Sequence, residues 1–167
     1  MHPAARANDG SIMDLAKNLK IDSVSRLQPT PPWQVQPEQT VAEAVQLMRQ
    51  EKVGCVLVCA GNRLLGIFTE RDLMRRVLAE NQPLTQPVAQ YMTPDPVAVH
   101  PKDPIGKAVR RMEEGGYRHL PVVDEAGRAI GVLSVKRIVH YLVEHFPTTI
   151  YNLPPDPGVV PQEREGA

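Results

Sequence analysis

The stretch Gly66-Ile-Phe-Thr-Glu-Arg-Asp72 has a counterpart later in the chain, Gly131-Val-Leu-Ser-Val-Lys-Arg137. Each pairs a short apolar run with a Thr or Ser that is suited to capping a following helix. The sequence around them repeats as well, because Pro37 and Pro101 are 64 residues apart and the two leading glycines are 65 apart. A repeat this long does not fit a solenoid unit of one helix pair. We therefore predict two similar halves related by a pseudo-twofold axis, with clefts between them.

The composition indicates a globular chain with no strong overall electrostatic field. Of its 167 residues, 42% are hydrophobic, and 19 basic residues balance 19 acidic ones. Such a balance argues against nucleic acid or an anionic membrane as the partner, and 4% aromatic residues are too few for a base-stacking platform. The first ten residues lack the apolar core of a targeting signal, and the apolar run Val53–Ala60 is too short to span a bilayer. We expect a cytoplasmic protein.

Each half is predicted to have the order β-α-β-β-α, which places the chain in the mixed α+β class. The first half opens its helix with the capping box Thr40-Val-Ala-Glu43. Neither half holds enough core alone, so the two sheets should bury their faces against each other. The predicted elements are a helix over 40–50, strands over 55–59 and 64–68, a helix over 69–79, a helical turn over 88–92, an extended segment over 97–99, a helix over 104–114, strands over 120–123 and 129–133, and a helix over 134–146.

The predicted boundaries follow the proline-rich stretches. Residues 1–32 form an N-terminal tail with a short helix from the capping box at Ser11 to about Leu19, followed by an extended linker over 28–32. The first repeat spans 33–82, and the second spans 88–147. Residues 148–167 form a proline-rich C-terminal tail, and we expect the first ten residues and the last dozen to be disordered.

Cys55 and Cys59 are four residues apart, which on a strand puts both side chains on one face. A disulfide or a metal site is one interpretation. No histidine or second cysteine pair is spaced to complete such a site, so buried thiols that act as small apolar side chains are the preferred one. No metal is predicted.

Two segments give the chain a family resemblance. Leu120-Pro-Val-Val-Asp124 and Gly66–Asp72, in tandem and in this order, resemble the CBS domain, and the resemblance covers about residues 33–146. Met92-Thr-Pro94 is also typical of the start of a CBS copy. The resemblance implies a paired CBS (Bateman) module, a regulatory unit that in this family often binds adenosine nucleotides in the clefts between its halves.

Asp72 is the predicted ribose-binding residue. An ionised carboxylate is a pure acceptor with two oxygens, which suits a pair of ribose hydroxyls. The alternative is local, because Asp72 lies three residues after Thr69 and can complete a capping box there. The family resemblance implies that Asp72 binds ribose and that Thr69 contacts ribose or phosphate, with Ile67 and Arg71 beside them on the same turn.

The predicted phosphate-binding residues come from the other half: Arg118, His119 and Lys136. The planar guanidinium of arginine and the mobile ammonium of lysine both suit phosphate. The alternative to phosphate binding is that Lys136 lies on a solvated helix face and that Arg118 and His119 are a solubilising pair at the rim of the cleft. This part of the chain resembles the second CBS copy of the gamma subunit of AMP-activated protein kinase. That resemblance implies phosphate contacts for these three residues opposite Asp72, and we expect adenine against Tyr117 and Ile67.

The other cleft lacks these groups. Arg137 stands where the first half has Asp72, and Gly54 and Cys55 stand where the second half has its basic pair. We therefore predict one nucleotide per chain.

No catalytic motif or phosphate-cradling loop appears, so no enzymatic activity is predicted. The main hypothesis is a regulatory module for AMP, ADP or ATP, with S-adenosylmethionine and NAD left open as ligands and with a homodimer or an unknown regulated protein as partner. The alternative is a structural interaction module whose clefts stay empty. A nucleic-acid site built from arginines is a third reading that the neutral net charge opposes. We also expect the helices that begin at 40 and 104 to pack together, as should those that begin at 69 and 134.

Overall fold

The computed structural model describes residues 9–147. The predictions for residues 1–8 and 148–167 fall outside the described residues. The helices are α1 (Asp9–Ile21), α2 (Val41–Glu51), α3 (Glu70–Asp72), which continues as a π-helical segment (Leu73–Leu78), α4 (Ile105–Gly115) and α5 (Val135–His145). The strands are β1 (Gln34–Val35), β2 (Cys55–Ala60), β3 (Arg63–Thr69), β4 (Thr93–Pro94), β5 (His119–Val123) and β6 (Ala129–Ser134), and single 3-10 turns lie at Val24–Leu27 and Val88–Gln90.

The two halves have equivalent sheets. In the first half the strand order is β1-β2-β3-β4, with β1 parallel to β2 and the other neighbours antiparallel. In the second half β5 pairs antiparallel with β6, and isolated bridges extend the pair on both sides, from Val99 to Val122 and from Thr30 to Val132. The predicted pseudo-twofold pair of β-α-β-β-α units is confirmed.

Three apolar clusters make up the core. One belongs to the first half and contains the apolar face of α2 together with Phe68 and Val77. A second belongs to the second half and contains the apolar face of α4 with Leu120 and Leu133. The third lies between the sheets, where β2 and β3 meet Val132 of β6. This third cluster confirms that the halves bury their sheets against each other.

Cys55 and Cys59 both belong to the cluster between the sheets, and both are free and buried. Burial raises the pKa of the Cys55 thiol to about 12, with a further contribution from the negative charge of Glu70. These cysteines therefore pack as small apolar side chains, which agrees with the preferred interpretation of the sequence.

Two extended segments cross between the halves. Thr93 of β4 lies within the predicted second repeat but pairs with Ile67 in the first sheet. Thr30 precedes the first repeat but exchanges backbone hydrogen bonds with Val132 in the second sheet, at 2.9 and 3.0 Å. Val24 of the preceding 3-10 turn is fully buried in the second half's core. The segment predicted as an extended linker thus forms a β-bridge at the edge of the second sheet, and the domain boundaries given above stay a prediction.

The helices differ from the predictions in partner and in geometry. α1 is helical from the first described residue, Asp9, to Ile21, and it packs on α4, where the carbonyl oxygen of Leu19 closely approaches Gly106. The predicted pairing of α2 with α4 is wrong because the two helices bury their apolar faces in different cores. The same holds for the helix after Thr69 and α5. The helix after Thr69 also widens after one turn, as shown by the bond from the Ala79 N–H to the Met74 carbonyl.

Candidate functional site

A cavity of about 790 Å³ opens between the halves, and both halves line it. It contains seven of the eight residues predicted to bind a nucleotide: Ile67, Thr69, Arg71, Asp72, Tyr117, Arg118 and His119. Lys136, the second residue of α5, is not among its lining residues. The structure therefore brings together the predicted ribose side and the Arg118-His119 pair, and it leaves Lys136 outside their cavity.

Asp72 is buried, with 7% of its surface exposed, and it forms the capping box that the local interpretation predicted. The carboxylate oxygen Oδ2 accepts hydrogen bonds from the backbone N–H and the hydroxyl of Thr69, both at 2.9 Å. The other oxygen, Oδ1, has longer contacts with the Thr93 hydroxyl at 3.4 Å and with Nε of Arg76 at 3.5 Å. Because both contacts of Oδ1 lie at the long end of the hydrogen-bond range, a ligand hydroxyl can take the place of one of them. Capping and ligand binding are therefore compatible at this residue.

Arg76 and Thr93 were not among the predicted site residues. Arg76 donates to the backbone carbonyls of Tyr91 at 3.2 Å and Met92 at 2.7 Å. These bonds hold the crossing segment that carries Thr93 against the helix that carries Asp72. Thr93 belongs to the Met-Thr-Pro sequence noted above. That motif was the one clue in the sequence to the presence of Thr93 in the cavity.

His119 packs against Gly54 across the boundary between the halves. A Cβ on Gly54 would lie 3.2 Å from Cε1 and 3.3 Å from Nε2 of the His119 ring. Burial lowers the pKa of His119, Glu70 opposes this effect and Arg118 adds to it. The imidazole is therefore mainly neutral near pH 7, and it offers a phosphate a hydrogen bond rather than a positive charge.

Glu70 is a third residue of the cavity that the prediction omitted. Its backbone N–H donates to the carbonyl of Gly54 at 3.0 Å, and in the other half Val135 donates to Arg118 in the same way, also at 3.0 Å. The two positions are equivalent in the repeat, but only the first half has a charged side chain there. Glu70 lies within the stretch Gly66–Asp72. The local sequence pattern does not show which residues of the other half it contacts.

The mouth of the cavity holds a second contact between the halves. Nη1 of Arg71 donates to the backbone carbonyl of Gly116 at 3.0 Å. Gly116 ends α4 with a φ of +66°, a conformation that favours glycine. The ring of Tyr117 lies over Gly115 so closely that a Cβ there would be 2.0 Å from the ring. The predicted adenine side of the cleft is thus built on a turn that requires two glycines.

The equivalent position in the other half has different chemistry. Ser134 caps α5 by accepting from the backbone N–H of Arg137 at 3.3 Å, but Arg137 cannot return the bond as Asp72 does. Thr30, the counterpart of Thr93, donates to the carbonyl of Val132 at 3.2 Å. Tyr141 replaces Arg76, and its hydroxyl contacts Asp22. Burial, assisted by Asp22, raises the pKa of Tyr141 to about 12.

Arg137 lines a separate cavity of about 320 Å³ between α5 and the first 3-10 turn. The larger cleft combines a buried carboxylate with basic residues from the facing half, and this smaller one does not. Within residues 9–147, no group of three or more His, Cys, Asp or Glu side chains is placed to hold a metal ion. The helices in the same range are too short or too polar to cross a membrane.

The family model of the CBS domain matches residues 24–79 and 88–144. These two matches account for most of the chain, and the chain belongs to the CBS-domain family. The matched residues are those of a CBS pair, the part that serves as a regulatory unit in larger proteins.

Individual relatives agree with this assignment. An uncharacterized 17.7 kDa protein of Acidianus ambivalens is 33% identical over 122 residues, which cover 72% of this chain and 73% of that protein. The CBS domain-containing protein CBSCBSPB1 of Arabidopsis thaliana is 34% identical over 116 residues, but the match covers only 21% of its length. The rest of such longer relatives has no counterpart in the match.

Two solved structures share the fold and contain a ligand. The CBS domain protein PAE2072 of Pyrobaculum aerophilum, complexed with AMP, matches with a TM-score of 0.69 and 25% identity, covering 76% of this chain and 99% of that one. CBSX2 in complex with AMP matches with a TM-score of 0.62 and 27% identity, covering 73% of this chain and 96% of that one.

Proposed function

We propose that this protein is a regulatory module that binds one adenosine nucleotide, of the AMP, ADP or ATP type, in the cleft beside Asp72. The observation that carries the proposal is the buried Asp72 carboxylate, which faces a cavity of about 790 Å³ whose opposite wall contains Arg118 and His119. A ribose acceptor and phosphate donors from different halves make the bound nucleotide a bridge between the halves. Such a bridge changes the relation of the halves only if the nucleotide binds their alternative arrangements unequally.

The roles of the individual residues follow from chemistry. Asp72 accepts from the ribose hydroxyls through Oδ1, and Thr69 and Thr93 offer hydroxyls beside it. Arg118 and the neutral His119 bind phosphate, and Ile67 and Tyr117 provide the apolar contact for adenine. Arg71 supplies a further cation at the mouth. Lys136 does not line the cavity, so we propose that it contributes only a distant positive charge to the binding of the nucleotide's phosphate.

Two solved relatives support the choice of ligand. The Pyrobaculum protein and CBSX2 both contain AMP and share at least a quarter of their aligned residues with this chain. We infer the same class of ligand here, and a cytoplasmic site of action, where these nucleotides are abundant.

A thermal unfolding assay tests the proposal directly. At a ligand concentration one hundred times the dissociation constant, binding to the folded state alone stabilises it by about 2.7 kcal/mol. We expect the midpoint of unfolding to rise with AMP, ADP or ATP and to remain unchanged with inosine or inorganic phosphate at the same ionic strength. S-adenosylmethionine and NAD belong in the same series. No shift with any adenosyl compound would refute the proposal.

Exposed apolar side chains favour a second candidate, an interaction module. Met74 and Val139 occupy equivalent positions in the helices that follow the two capping residues, and they are 64% and 52% exposed. Leu78 and Val135, which lie in the same two helices, are also exposed. We propose that a second copy covers these helices in a homodimer, since closed twofold symmetry is the commonest assembly. Light scattering at micromolar concentration decides this, because a monomer mass with and without nucleotide would refute the dimer.

A further inference from the structure

Glu70 places a carboxylate in the cleft that the proposed function does not use. The residue lines the cavity, and its backbone N–H is fixed by the 3.0 Å bond to Gly54. Its side-chain oxygen Oε2 lies 3.6 Å from the point where a Cβ on Gly54 would be, and Nε2 of His119 lies 3.3 Å from the same point. The carboxylate and the imidazole therefore flank one glycine, at the end of the cavity that contains Arg118 and His119.

The negative charge of Glu70 affects the pKa values of residues in both halves. It contributes to the raised pKa of the Cys55 thiol, after burial, and it opposes the lowering of the His119 pKa by burial. Both effects reflect a Glu70 carboxylate that lies close to the proposed phosphate end. In the other half the equivalent residue is Val135, so this charge is a property of the larger cleft alone.

The charges in the cavity are nearly balanced. Four arginines and three carboxylates line it, and burial keeps His119 mainly neutral near pH 7. Arg76 pairs with the Asp72 carboxylate, and Arg71 keeps its charge but is held at the mouth of the cavity by its bond to the Gly116 carbonyl. The remaining two, Arg75 and Arg118, share the cavity with Glu70 and Asp95. The positive charge of the cavity can therefore compensate only a small part of the negative charge that a nucleotide with several phosphates would bring.

We propose that Glu70 is a specificity residue, which makes the cleft favour an adenosine nucleotide with one phosphate over the di- and triphosphates. Glu70 is solvent-exposed but lines the same cavity as Arg118 and His119, so each further phosphate adds negative charge near its carboxylate, and like charges at this distance repel. The residue discriminates by repelling the larger ligands and makes no favourable contact with the smaller one. This inference rests on the proposed function, because it concerns the same cleft.

The test compares AMP with ATP in the presence of a metal chelator and at fixed ionic strength. Titration calorimetry on the full chain gives both dissociation constants for the wild type, Glu70→Gln and Glu70→Asp. We expect the wild type to bind AMP about tenfold more tightly than ATP, as one repulsive charge in the site predicts. Glu70→Gln should remove most of this preference by tightening ATP binding, and Glu70→Asp should retain it.

Glu125→Gln is the matched control, since it removes one negative charge from the exposed turn between β5 and β6. It should leave the AMP-to-ATP ratio at its wild-type value. Equal affinities in the wild type, or an equal change of both affinities in Glu70→Gln, would overturn the role of Glu70 and leave the proposed function standing. If neither nucleotide binds the wild type, the proposed function itself fails and this inference fails with it.

Discussion

The two halves share one backbone plan, and a few substitutions distinguish the cleft proposed to bind a nucleotide from its counterpart. In the first half Thr69 and Asp72 exchange hydrogen bonds, and the carboxylate retains an oxygen on the cavity side. In the second half Ser134 caps its helix in the same way, but Arg137 replaces the carboxylate. The capping geometry is therefore a property of the fold, whereas the chemistry offered to a ligand depends on which residue completes the cap.

The largest effect is expected from Asp72→Ala. Loss of the proposed charge-assisted bonds to ribose should weaken adenosine and its nucleotides alike, by about 1.5–3 kcal/mol each. The same change removes a capping box, which should lower the free energy of unfolding by about 1 kcal/mol. Calorimetry measures the first quantity, and chemical denaturation measures the second.

Glu43→Ala is the matched control for Asp72→Ala. Glu43 closes the capping box of α2 with Thr40, through bonds of 2.7 and 3.2 Å, and it lies outside the cleft. This variant should lose stability while binding the nucleotide normally. If Asp72→Ala behaves like Glu43→Ala, with stability reduced and affinity unchanged, then Asp72 only caps its helix.

A side chain at Gly54 should make the first half resemble the second, where Arg118 occupies the equivalent position. Gly54→Val would press against the His119 ring, which a single Cβ already approaches within 3.2 Å. Overpacking of this kind costs about 1–3 kcal/mol of stability. Adding His119→Ala should recover much of that loss, and a double-mutant cycle on unfolding free energies measures the coupling. Additive effects of the two changes would contradict the packing of His119 on Gly54.

The two halves should also differ in their response to acid. Burial holds the pKa of His119 below its ordinary value of 6.5, and the residue at the equivalent position is Cys55. Because the folded state binds fewer protons than the unfolded state, the stabilisation from neutral His119 is complete above pH 6.5. It is lost as the pH falls from there through the folded-state pKa.

Urea denaturation between pH 7.5 and pH 5 checks this sign. The wild type should lose stability across the interval, and His119→Gln should lose less. Carboxylates contribute mainly at lower pH, since the pKa values of Glu43, Asp103 and Asp124 are lowered by hydrogen bonds and, for the two aspartates, by nearby cations. Identical pH profiles for the two proteins would contradict the burial of a neutral His119.

The smallest effect is expected from Lys136→Ala. Lys136 does not line the cavity, so its contribution to phosphate binding is that of an exposed and screened charge, about 1 kcal/mol or less. Adenosine should bind this variant normally, and AMP should bind slightly less tightly. Arg118→Ala is the comparison within the cavity and should weaken AMP more. A larger loss of AMP affinity in Lys136→Ala than in Arg118→Ala would show that the bound state moves Lys136 into the cleft.

The sequence predicted most of what depends on local pattern. The capping boxes at Thr40 and Thr69 follow from residue spacing, and the buried strands follow from apolar runs. The placement of Arg118 and His119 opposite Asp72 was implied by the family resemblance, and comparing the two copies position by position showed that the other cleft lacks these groups. Such features are encoded within a few residues or within the repeat itself.

What the sequence did not predict depends on contacts between distant segments. Thr30 sits in a proline-rich stretch with the composition of a linker, and only the free edge of β6 gives it a partner. Glu70 is a helix-start residue by its pattern, and its place beside His119 arises when the halves pack together. The widening of the helix at Leu73–Leu78 has no counterpart in α5, and its residue pattern offers no warning of it.

The stoichiometry of nucleotide binding tests the contrast between the clefts most directly. Titration calorimetry of the full chain with AMP should give one site per chain, and Asp72→Ala should weaken that site without revealing another. Arg137→Asp should fail to create a second site, because Gly54 and Cys55 supply no phosphate donors there. Two equivalent sites per chain in the wild type would contradict the proposed difference between the clefts, since the Arg137 cleft would then bind a nucleotide without a ribose carboxylate.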